Sequence, residues 1–445
     1  MPRRNLLFLL AVGIIALVCY QKIQTNQYGQ MLSESLELID RLSLEKVDPE
    51  ELFEGAMDGM VERLNVGGLD ENSSYIPPKA LTEFQEVIDQ QFGGVGMEVS
   101  IDPKTRQMTV VSPLADTPAY IAGVRAGDRI LRIDDHSTQG MSVKDAVSLM
   151  RGKPGDPVCI TVLHQGEEKP VDIKIVRAVI QGKTIIGDTR NADGSWNYFL
   201  PGADRIGYLR ISSFGEKTAE DLKQAVEWLV DHDMQGLILD LRDNPGGLFP
   251  VAKDVCDLFI TSGAIVSTRG RDGRILETRL ATGKGPFTKF PVVVLVNQYS
   301  ASASEVVAAC LQDHHRATIV GQRTYGKGTV QQVIELDDRR GALKLTTASY
   351  WRPSNKNIHR SRDAGENEDW GVRPDTGCEV QVDGDDLMRL RLWRLNRDIS
   401  KAAEPMAVIK GGEKTVDRQL AKAVECLQKT MEDKKEPDMP KALKS

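Results

Sequence analysis

The chain is 445 residues long, 40% hydrophobic and 27% charged, with a formal net charge of −7. That length exceeds what one hydrophobic core normally supports, so two or three folded domains are expected. The acidic balance, without a basic stripe, argues against nucleic-acid binding. The six widely spaced cysteines form neither a metal motif nor a disulfide scaffold. Since no histidine or carboxylate cluster has ligand spacing, we expect neither a metal nor a cofactor.

The first element is an uncharged apolar run over residues 6–20, which follows Arg3 and Arg4. Fifteen residues at about 1.5 Å each fall short of a bilayer core of roughly 30 Å. The pattern is typical of an export segment, but no Ala-x-Ala cleavage site follows. Residues 1–24 are therefore predicted to be a signal peptide or a retained membrane anchor. The rest of the chain is expected outside the cytoplasm, in the periplasm or cell envelope.

Helical periodicity dominates residues 25–90, with apolar positions three and four residues apart. Gly67-Gly68 predicts the end of one helix and Pro77-Pro78 the start of another. The triplet Asn72-Ser-Ser74 fits either a glycosylation acceptor or turn chemistry, and a turn is favoured.

Between residues 91 and 178, short strands and glycine turns replace the helices, around one predicted helix at 143–150. The glycine-rich Phe92-Gly-Gly-Val-Gly96 and the block Gly123-Val-Arg-Ala-Gly-Asp128 resemble a PDZ domain, a small β-barrel with helices. The resemblance implies that backbone N–H groups of one loop hold the terminal carboxylate of a peptide, which adds as a strand. A plain hairpin is the alternative for these glycines. The loop residues are Gly94, Val95, Gly96 and Met97.

From 179 to 378, strands alternate with helices, the pattern of an α/β core. A buried strand predicted at 236–241 runs into Asn244-Pro-Gly-Gly247. Consecutive glycines at the end of a strand let backbone N–H groups approach a ligand closely, as an oxyanion hole requires. A tight turn before the next helix is the alternative interpretation.

A second buried strand, predicted at 291–296, runs into Asn297-Gln-Tyr-Ser-Ala-Ser-Ala-Ser-Glu305. Helical spacing follows, so these hydroxyls lie near a helix N-terminus, where unpaired N–H groups favour a developing negative charge. The same residues also fit a capping box between Ser302 and Glu305. Spacing alone leaves Ser300, Ser302 and Ser304 equivalent as candidate nucleophiles.

Residues 321–327 satisfy the first seven positions of a phosphate-binding loop. The eighth position is Gly328 rather than Ser or Thr, and residues 329–336 alternate like a strand where that motif opens a helix. A nucleotide site is therefore not expected. Taken alone, Lys327 is more simply a surface lysine on a glycine loop.

In this order, the segments resemble the carboxyl-terminal processing, or tail-specific, serine proteases, over nearly the whole chain after the leader. The resemblance implies a mixed α/β fold: a protease core of the ClpP/crotonase-like type at 179–378, an inserted PDZ domain at 91–178, and a C-terminal helical tail at 379–445. The motifs that carry it include Leu241-Arg-Asp-Asn-Pro-Gly-Gly247, Arg316-Ala-Thr-Ile-Val-Gly321, Gly326-Lys-Gly-Thr-Val-Gln331 and Gly371-Val-Arg-Pro-Asp375.

The resemblance also implies the roles of individual residues. Ser302 would be the nucleophile, Lys327 the general base, and Gln331 the residue that orients the lysine. The oxyanion donors would be the N–H of Ala303 and one glycine N–H, from Gly246 or Gly247.

A lysine acts as a base only when neutral, so its pKa must fall several units below about 10.4, which desolvation can achieve. Tyr325 and Val330 are predicted to help dry its pocket. A conventional Ser–His pair is disfavoured, because His314 and His315 follow the helix and should end roughly 15 Å from the serine. The other histidines, His136, His164, His232 and His359, are predicted to face solvent.

The sequence thus predicts an exported serine endopeptidase that recognises apolar C-terminal tails through its PDZ domain. Its expected partners are protein substrates with exposed tails, the membrane through the N-terminal segment, and a second copy of the chain or an adaptor protein. The alternative is a catalytically idle PDZ-bearing scaffold or carrier on the same fold.

Overall fold

The computed structural model describes residues 12–14, 26–66, 70–81, 91–102, 105–114, 117–125, 127–181, 183–191, 195–203, 205–336, 341–398 and 417–433. Most of the predicted leader, most of the helix expected after Pro78, and the charged end of the tail lie outside these residues. Within them, none of the helices combines the length and the apolar character that a bilayer crossing requires.

The helices are α1 (Gln27–Leu42), α2 (Pro49–Asn65), α3 (Pro118–Ile121), α4 (Val143–Met150), α5 (Thr218–Asp231), α6 (Phe249–Asp257), α7 (Ala303–Asp313), α8 (Gly384–Asp398) and α9 (Arg418–Asp433). The strands are β1 (Ser74–Ile76), β2 (Gln91–Gly94), β3 (Met97–Ile101), β4 (Met108–Pro113), β5 (Arg129–Ile133), β6 (His136–Ser137), β7 (Pro157–Leu163), β8 (Val171–Val176), β9 (Ala178–Gln181), β10 (Ile185–Ile186), β11 (Thr189–Arg190), β12 (Trp196–Asn197), β13 (Ile206–Ile211), β14 (Gly236–Asp240), β15 (Ala264–Arg269), β16 (Ile275–Leu280), β17 (Val292–Val296), β18 (Ala317–Gly321), β19 (Thr329–Glu335) and β20 (Ala342–Trp351). The chain divides into two compact units, residues 1–81 with 331–346, and residues 82–330 with 347–445.

The first unit packs helix α2 against β1 and the start of β20. Met57 and Val61 of the helix form a small core with Tyr75 of the strand, and β1 pairs antiparallel with residues 342–344. Before β1, the N–H groups of Asn72 and Ser73 donate to Asp70 Oδ1 at 3.1 and 3.2 Å. The predicted turn at this position is confirmed.

Within the second unit, residues 97–176 form an antiparallel sheet with the strand order β3-β4-β5-β7-β8. Its core is made by alternate strand residues such as Val110, Ile130 and Ile160, which pack against Ala146 of α4. Strand β3 lies at the edge of this sheet, where β4 is its pairing partner among the described residues, and an edge strand can accept an added strand. This is the architecture that the PDZ resemblance predicts.

A second sheet in this unit has the order β10-β13-β14-β17-β18, with the last four strands parallel. Leu237 and Val294 face helices α5, α6 and α7 on one side, whereas Ile238 and Val293 face α9 on the other. Because helices cover both faces, the central strands are continuous apolar runs rather than alternating ones. The mixed α/β fold class with an inserted PDZ domain is therefore confirmed.

The parallel arrangement decides where the functional loops lie. Strands β14, β17 and β18 are neighbours, so the segments after their carboxyl ends share one edge of the sheet, where α/β proteins bind ligands. These segments are 241–248, 297–302 and 322–328.

Helix α9 is joined to the end of β14 by a buried arginine. The guanidinium of Arg242 binds Asp240 at 2.7 Å and Asp417, the residue before α9, at 2.8 Å. Burial alone would raise the pKa of Asp417, but the charge of Arg242 lowers it below its ordinary value. The Leu420 N–H also donates to Asp417 Oδ1 at 2.9 Å, so this carboxylate both caps the helix and anchors it.

We predict that Asp417→Asn lowers the free energy of unfolding by about 3 kcal/mol, because it removes one partner of a buried ion pair. The amide oxygen can still cap α9, so the loss reports on the charge. Since the pKa of Asp417 is lowered by folding, its contribution is present at neutral pH and disappears as pH falls below about 4. Denaturant titrations of both proteins at pH 7 and in acid measure the difference.

The matched control is Glu425→Gln on the same helix, where Glu425 pairs at 2.8 Å with Lys422 near the surface. That change should alter the free energy of unfolding by less than about 1 kcal/mol. Equal effects of the two substitutions would contradict the role assigned to Asp417.

Candidate functional site

Ser302 lies where β17 gives way to α7, as the N-cap of that helix. Its backbone has φ 56°, the left-handed region that costs a non-glycine residue roughly 1–2 kcal/mol. Its N–H donates to Glu305 Oε2 at 2.9 Å, while the neighbouring Ala303 N–H has no hydrogen-bond partner among the described residues. The strained turn holds Ser302 beside the positive end of the helix.

The structure distinguishes the three serines that spacing left equivalent. Ser300 and Ser304 are fully buried, whereas Ser302 is half-buried. The Ser300 hydroxyl donates to Leu241 O at 2.8 Å, and the Ser304 hydroxyl donates to Asn244 O at 3.0 Å. The two flanking serines therefore hold the loops together, and Ser302 is the candidate that a substrate could reach.

Asn244 joins the loop after β14 to the serine loop. Its carbonyl accepts the Ala301 N–H at 3.0 Å, and its Oδ1 accepts the Gly246 N–H at 2.8 Å. Gly246 has φ +104°, and a Cβ there would lie 2.8 Å from Ser302 Cβ and 3.0 Å from the Ala303 nitrogen. Only glycine fits so close to the serine. The sequence analysis did not single out Asn244, although its position shortly after a predicted buried strand could have indicated a role.

The two candidate glycines differ in what their N–H groups do. The Gly246 N–H is already bound by Asn244, and the Gly246 carbonyl accepts the Phe214 N–H at 2.9 Å. The N–H of Gly247 has no hydrogen-bond partner in the part of the chain that the structure describes. Gly247 has φ +143°, and a Cβ there would lie 2.2 Å from Phe214 O, so the position excludes a side chain.

The carboxylate of Glu305 connects the serine loop to the lysine loop. Glu305 is fully buried; its Oε1 accepts the Thr324 hydroxyl at 2.6 Å and the Gly326 N–H at 2.7 Å. Its Oε2 accepts the N–H groups of Ser302 at 2.9 Å and Lys327 at 2.8 Å. Burial raises the pKa of Glu305 to about 7, against the opposing effect of these hydrogen bonds. The sequence predicted only a helix-capping role.

Lys327 itself is half-buried, but its predicted surroundings need one correction. Tyr325 is 56% exposed, so the expectation that it helps to desolvate the lysine is wrong. The Tyr325 N–H donates to Ser300 O at 3.0 Å. Val330 is partly buried against the main core.

Two histidines are not solvent-facing as predicted. His164 is buried in the PDZ sheet, with Nδ1 2.7 Å from Asp128 Oδ1. His359 is half-buried, and a Cβ on Gly328 would lie 2.1 Å from its backbone nitrogen; burial lowers the pKa of His359. Both predictions failed because segments distant in sequence cover these side chains. His136 and His232 are exposed as expected.

His314 is the C-cap of α7, the helix that Ser302 opens. Its Nε2 lies 2.7 Å from Ala264 O. An 11-residue helix lies between Ser302 and His314. At about 1.5 Å per residue, the length of this helix agrees with the distance expected from the sequence.

Gln331 belongs to the first unit, on β19. Its amide nitrogen lies 3.3 Å from the Thr346 hydroxyl, which in turn donates to Asp70 Oδ1 at 2.8 Å. The side chain of Gln331 is thus fixed by residues that the sequence analysis did not identify.

The predicted peptide-binding loop of the PDZ sheet precedes its edge strand. The Val95 carbonyl accepts the Ala119 N–H at 2.8 Å, and the Gly96 carbonyl accepts the Leu114 N–H at 2.9 Å. Among the described residues, the N–H groups of Val95 and Gly96 make no hydrogen bond. Gly96 has φ +78°, a conformation that suits glycine in an anion-binding turn.

We predict that Ser300→Ala lowers the free energy of unfolding by about 1–3 kcal/mol, because it leaves the buried Asn297 N–H without its partner and removes one of the two hydrogen bonds to the Leu241 carbonyl. Ser302→Ala should lower it by no more than about 1 kcal/mol, the usual cost of losing an N-cap hydroxyl. Denaturant titration of both variants measures this contrast. A Ser302→Ala protein as unstable as Ser300→Ala would mean that Ser302, too, is a structural serine.

Models of two protein families match the chain: Peptidase family S41 over residues 205–377 and a PDZ domain over residues 109–163. The carboxy-terminal-processing protease of Bartonella bacilliformis is 40% identical over 372 residues, which are 80% of each chain. The carboxy-terminal processing protease CtpA of Bacillus subtilis is 33% identical over 350 residues, 78% of this chain and 68% of that one. A solved structure of a photosystem II D1 C-terminal processing protease is 27% identical, covering 80% of this chain and 93% of its own, with a TM-score of 0.45.

Proposed function

Because the chain belongs to the carboxy-terminal processing proteases of peptidase family S41, it is a serine-type peptidase acting on proteins, and we propose that Ser302 is its nucleophile and Lys327 its general base. One observation supports this pair above the others. A single buried carboxylate, that of Glu305, binds the backbone N–H groups of both residues. The backbones of Ser302 and Lys327 therefore lie close together at the carboxyl edge of the parallel sheet.

The proposed reaction is acyl transfer in two steps. A serine hydroxyl is a weak nucleophile, so the neutral amine of Lys327 takes its proton as Ser302 attacks the scissile carbonyl. The resulting ammonium gives that proton to the leaving amine when the C–N bond breaks, which leaves an acyl-enzyme. Water then attacks the ester and gives a proton to Lys327, which returns it to Ser302 Oγ as the ester C–O bond breaks and the new carboxyl end is released. The role of Gln331 in orienting the lysine stays a prediction from the family pattern.

For the oxyanion hole, we favour Gly247 over Gly246. Such a hole needs N–H donors aimed at the developing charge, and Asn244 already binds the Gly246 N–H. The N–H groups of Gly247 and Ala303 have no other partner among the described residues. Ala303 adds the dipole of α7, which also favours negative charge at this position.

Substrate recognition through apolar C-terminal tails is proposed for the PDZ sheet. Its edge strand β3 can receive an extended peptide, and the N–H groups of Val95 and Gly96 are suited to a terminal carboxylate. Export is proposed from the arginines and apolar run at 3–20. Self-association or an adaptor protein stays a prediction.

We predict that Ser302→Ala and Lys327→Ala each abolish cleavage of an unfolded protein with an apolar tail, at least about 1,000-fold, with no more than a small fall in the unfolding temperature. Gel analysis of the digestion over time measures the loss. The matched control is Lys253→Ala, a lysine paired with Asp254 on α6, which should cleave normally. Wild-type protein that leaves several such substrates intact across pH would instead favour the idle scaffold. Activity in Lys327→Ala would exclude the lysine as base.

We also predict that a C-terminal carboxamide slows cleavage of an otherwise identical apolar-tailed substrate. Hydrogen bonds to a charged group contribute about 1.5–3 kcal/mol, so kcat/KM should fall roughly 10- to 100-fold. Steady-state kinetics on the pair of substrates measures it. Equal kcat/KM values would show that the terminal carboxylate is not recognised.

A further inference from the structure

The carboxylate of Glu305 is surrounded by donors. Three of its described partners are backbone N–H groups, from Ser302, Gly326 and Lys327, and an N–H cannot reverse its role. The fourth partner is the Thr324 hydroxyl. That hydroxyl accepts the Val372 N–H at 2.7 Å, so its own hydrogen is directed to Glu305.

This arrangement requires an ionised carboxylate. Each oxygen of Glu305 accepts two hydrogen bonds, and a protonated carboxyl would set its hydrogen against one of these donors. A capping glutamate at the third position of a helix needs only one such bond. The other three come from the loop 324–327, which belongs to the lysine side of the site.

The packing around Glu305 is close. Gly371 has φ +58°, and a Cβ there would lie 2.8 Å from the Thr324 hydroxyl and 3.4 Å from Glu305 Oε1. Glu305 itself has no exposed surface. It therefore cannot contact a substrate, and any effect on the reaction must act through its neighbours.

We propose that Glu305 is a positioning residue, which fixes the backbone of Ser302 relative to that of Lys327 by binding the N–H groups of both. The inference rests on the proposed nucleophile and base. It goes beyond a helix cap, because the carboxylate determines the geometry between two loops rather than the stability of one helix. A misplacement of about 1 Å between reacting groups can cost roughly 100-fold in rate.

The decisive variant is Glu305→Gln. In either orientation of the amide, its NH2 group meets a backbone N–H of the lysine loop, that of Gly326 at the Oε1 position or that of Lys327 at the Oε2 position, so one pair of hydrogen bonds breaks and this loop is displaced. We expect kcat to fall about 100-fold, with KM changed less than about threefold. The fold should persist, because the Tyr325 N–H also joins the two loops through Ser300 O. Unfolding temperature and circular dichroism check this.

The matched control is Glu220→Gln, which removes a glutamate from the same third position of another helix, α5. Glu220 is exposed and binds only Gln224 of its own helix among the described residues. Normal kcat is expected there. Ser302→Ala and Lys327→Ala are measured in the same assay, so that the two hypotheses fail separately. If both are inactive while Glu305→Gln keeps wild-type kcat, the positioning role is overturned and the dyad stands.

A pH profile separates positioning from a general loss of stability. Since burial raises the pKa of Glu305 to about 7, mild acid protonates the wild-type carboxyl and should impose the same defect as the glutamine. The ratio of wild-type to Glu305→Gln kcat should therefore shrink from about 100 at pH 8 to below about 10 at pH 5.5. A ratio that stays near 1 at every pH would contradict the proposal.

The other groups near Glu305 cancel in that ratio, because both proteins contain them. On the segments packed against it, the titratable or charged side chains are Arg323, Tyr325, Lys327, His359, Arg360, Asp369 and Arg373.

A second pair of variants keeps the test decisive if Glu305→Gln does not fold. Thr324→Val removes one donor to Glu305, whereas Thr324→Ser retains it. We expect kcat to fall about tenfold in the valine variant and to be restored in the serine variant. Equal kcat in the two would overturn the proposal.

Discussion

A single buried carboxylate is the interaction on which the geometry of this site depends. Glu305 is bound at once by the N–H groups of Ser302 and Lys327, which belong to loops after two different strands. A buried charge is tolerated only when it is fully hydrogen-bonded, so any movement of either loop would leave part of that charge unsatisfied. The penalty for such movement makes the site rigid, and the strained φ of Ser302 is held by the same hydrogen bonds.

The loop after β14 is held from outside the sheet, by the C-terminal helices. Asp243 has φ +61°; it accepts a hydrogen bond from Asn297 at 3.1 Å and pairs with Arg391 of α8 at 2.6 Å. Just before it, Arg242 connects Asp240 to Asp417 at the start of α9. Both links come just before Gly246, which lies against Ser302, so the tail contributes to the arrangement of the site although it supplies no candidate catalytic residue.

Much of the fold could be predicted from the sequence because it follows from local patterns. The apolar runs that became β14 and β17 are buried at every position, as expected for strands covered on both faces. The alternating residues after Lys327 became β19 rather than the helix of a phosphate loop. The failures share one cause. His164, His359 and Tyr325 were assigned an exposure that depends on segments far away in the chain, which local periodicity does not describe.

The sequence by itself determined the order of strands and helices, the presence of an edge-stranded PDZ sheet, and the family to which the chain belongs. It left three serines and two glycines as equivalent candidates, and it gave Glu305 no more than a capping role. The tertiary structure separated these residues by burial and hydrogen bonding: Ser300 and Ser304 bind backbone carbonyls, and Asn244 occupies the Gly246 N–H. The reason is physical. Periodicity fixes which face of an element is buried, but the partner of a buried polar group is chosen only when distant segments meet.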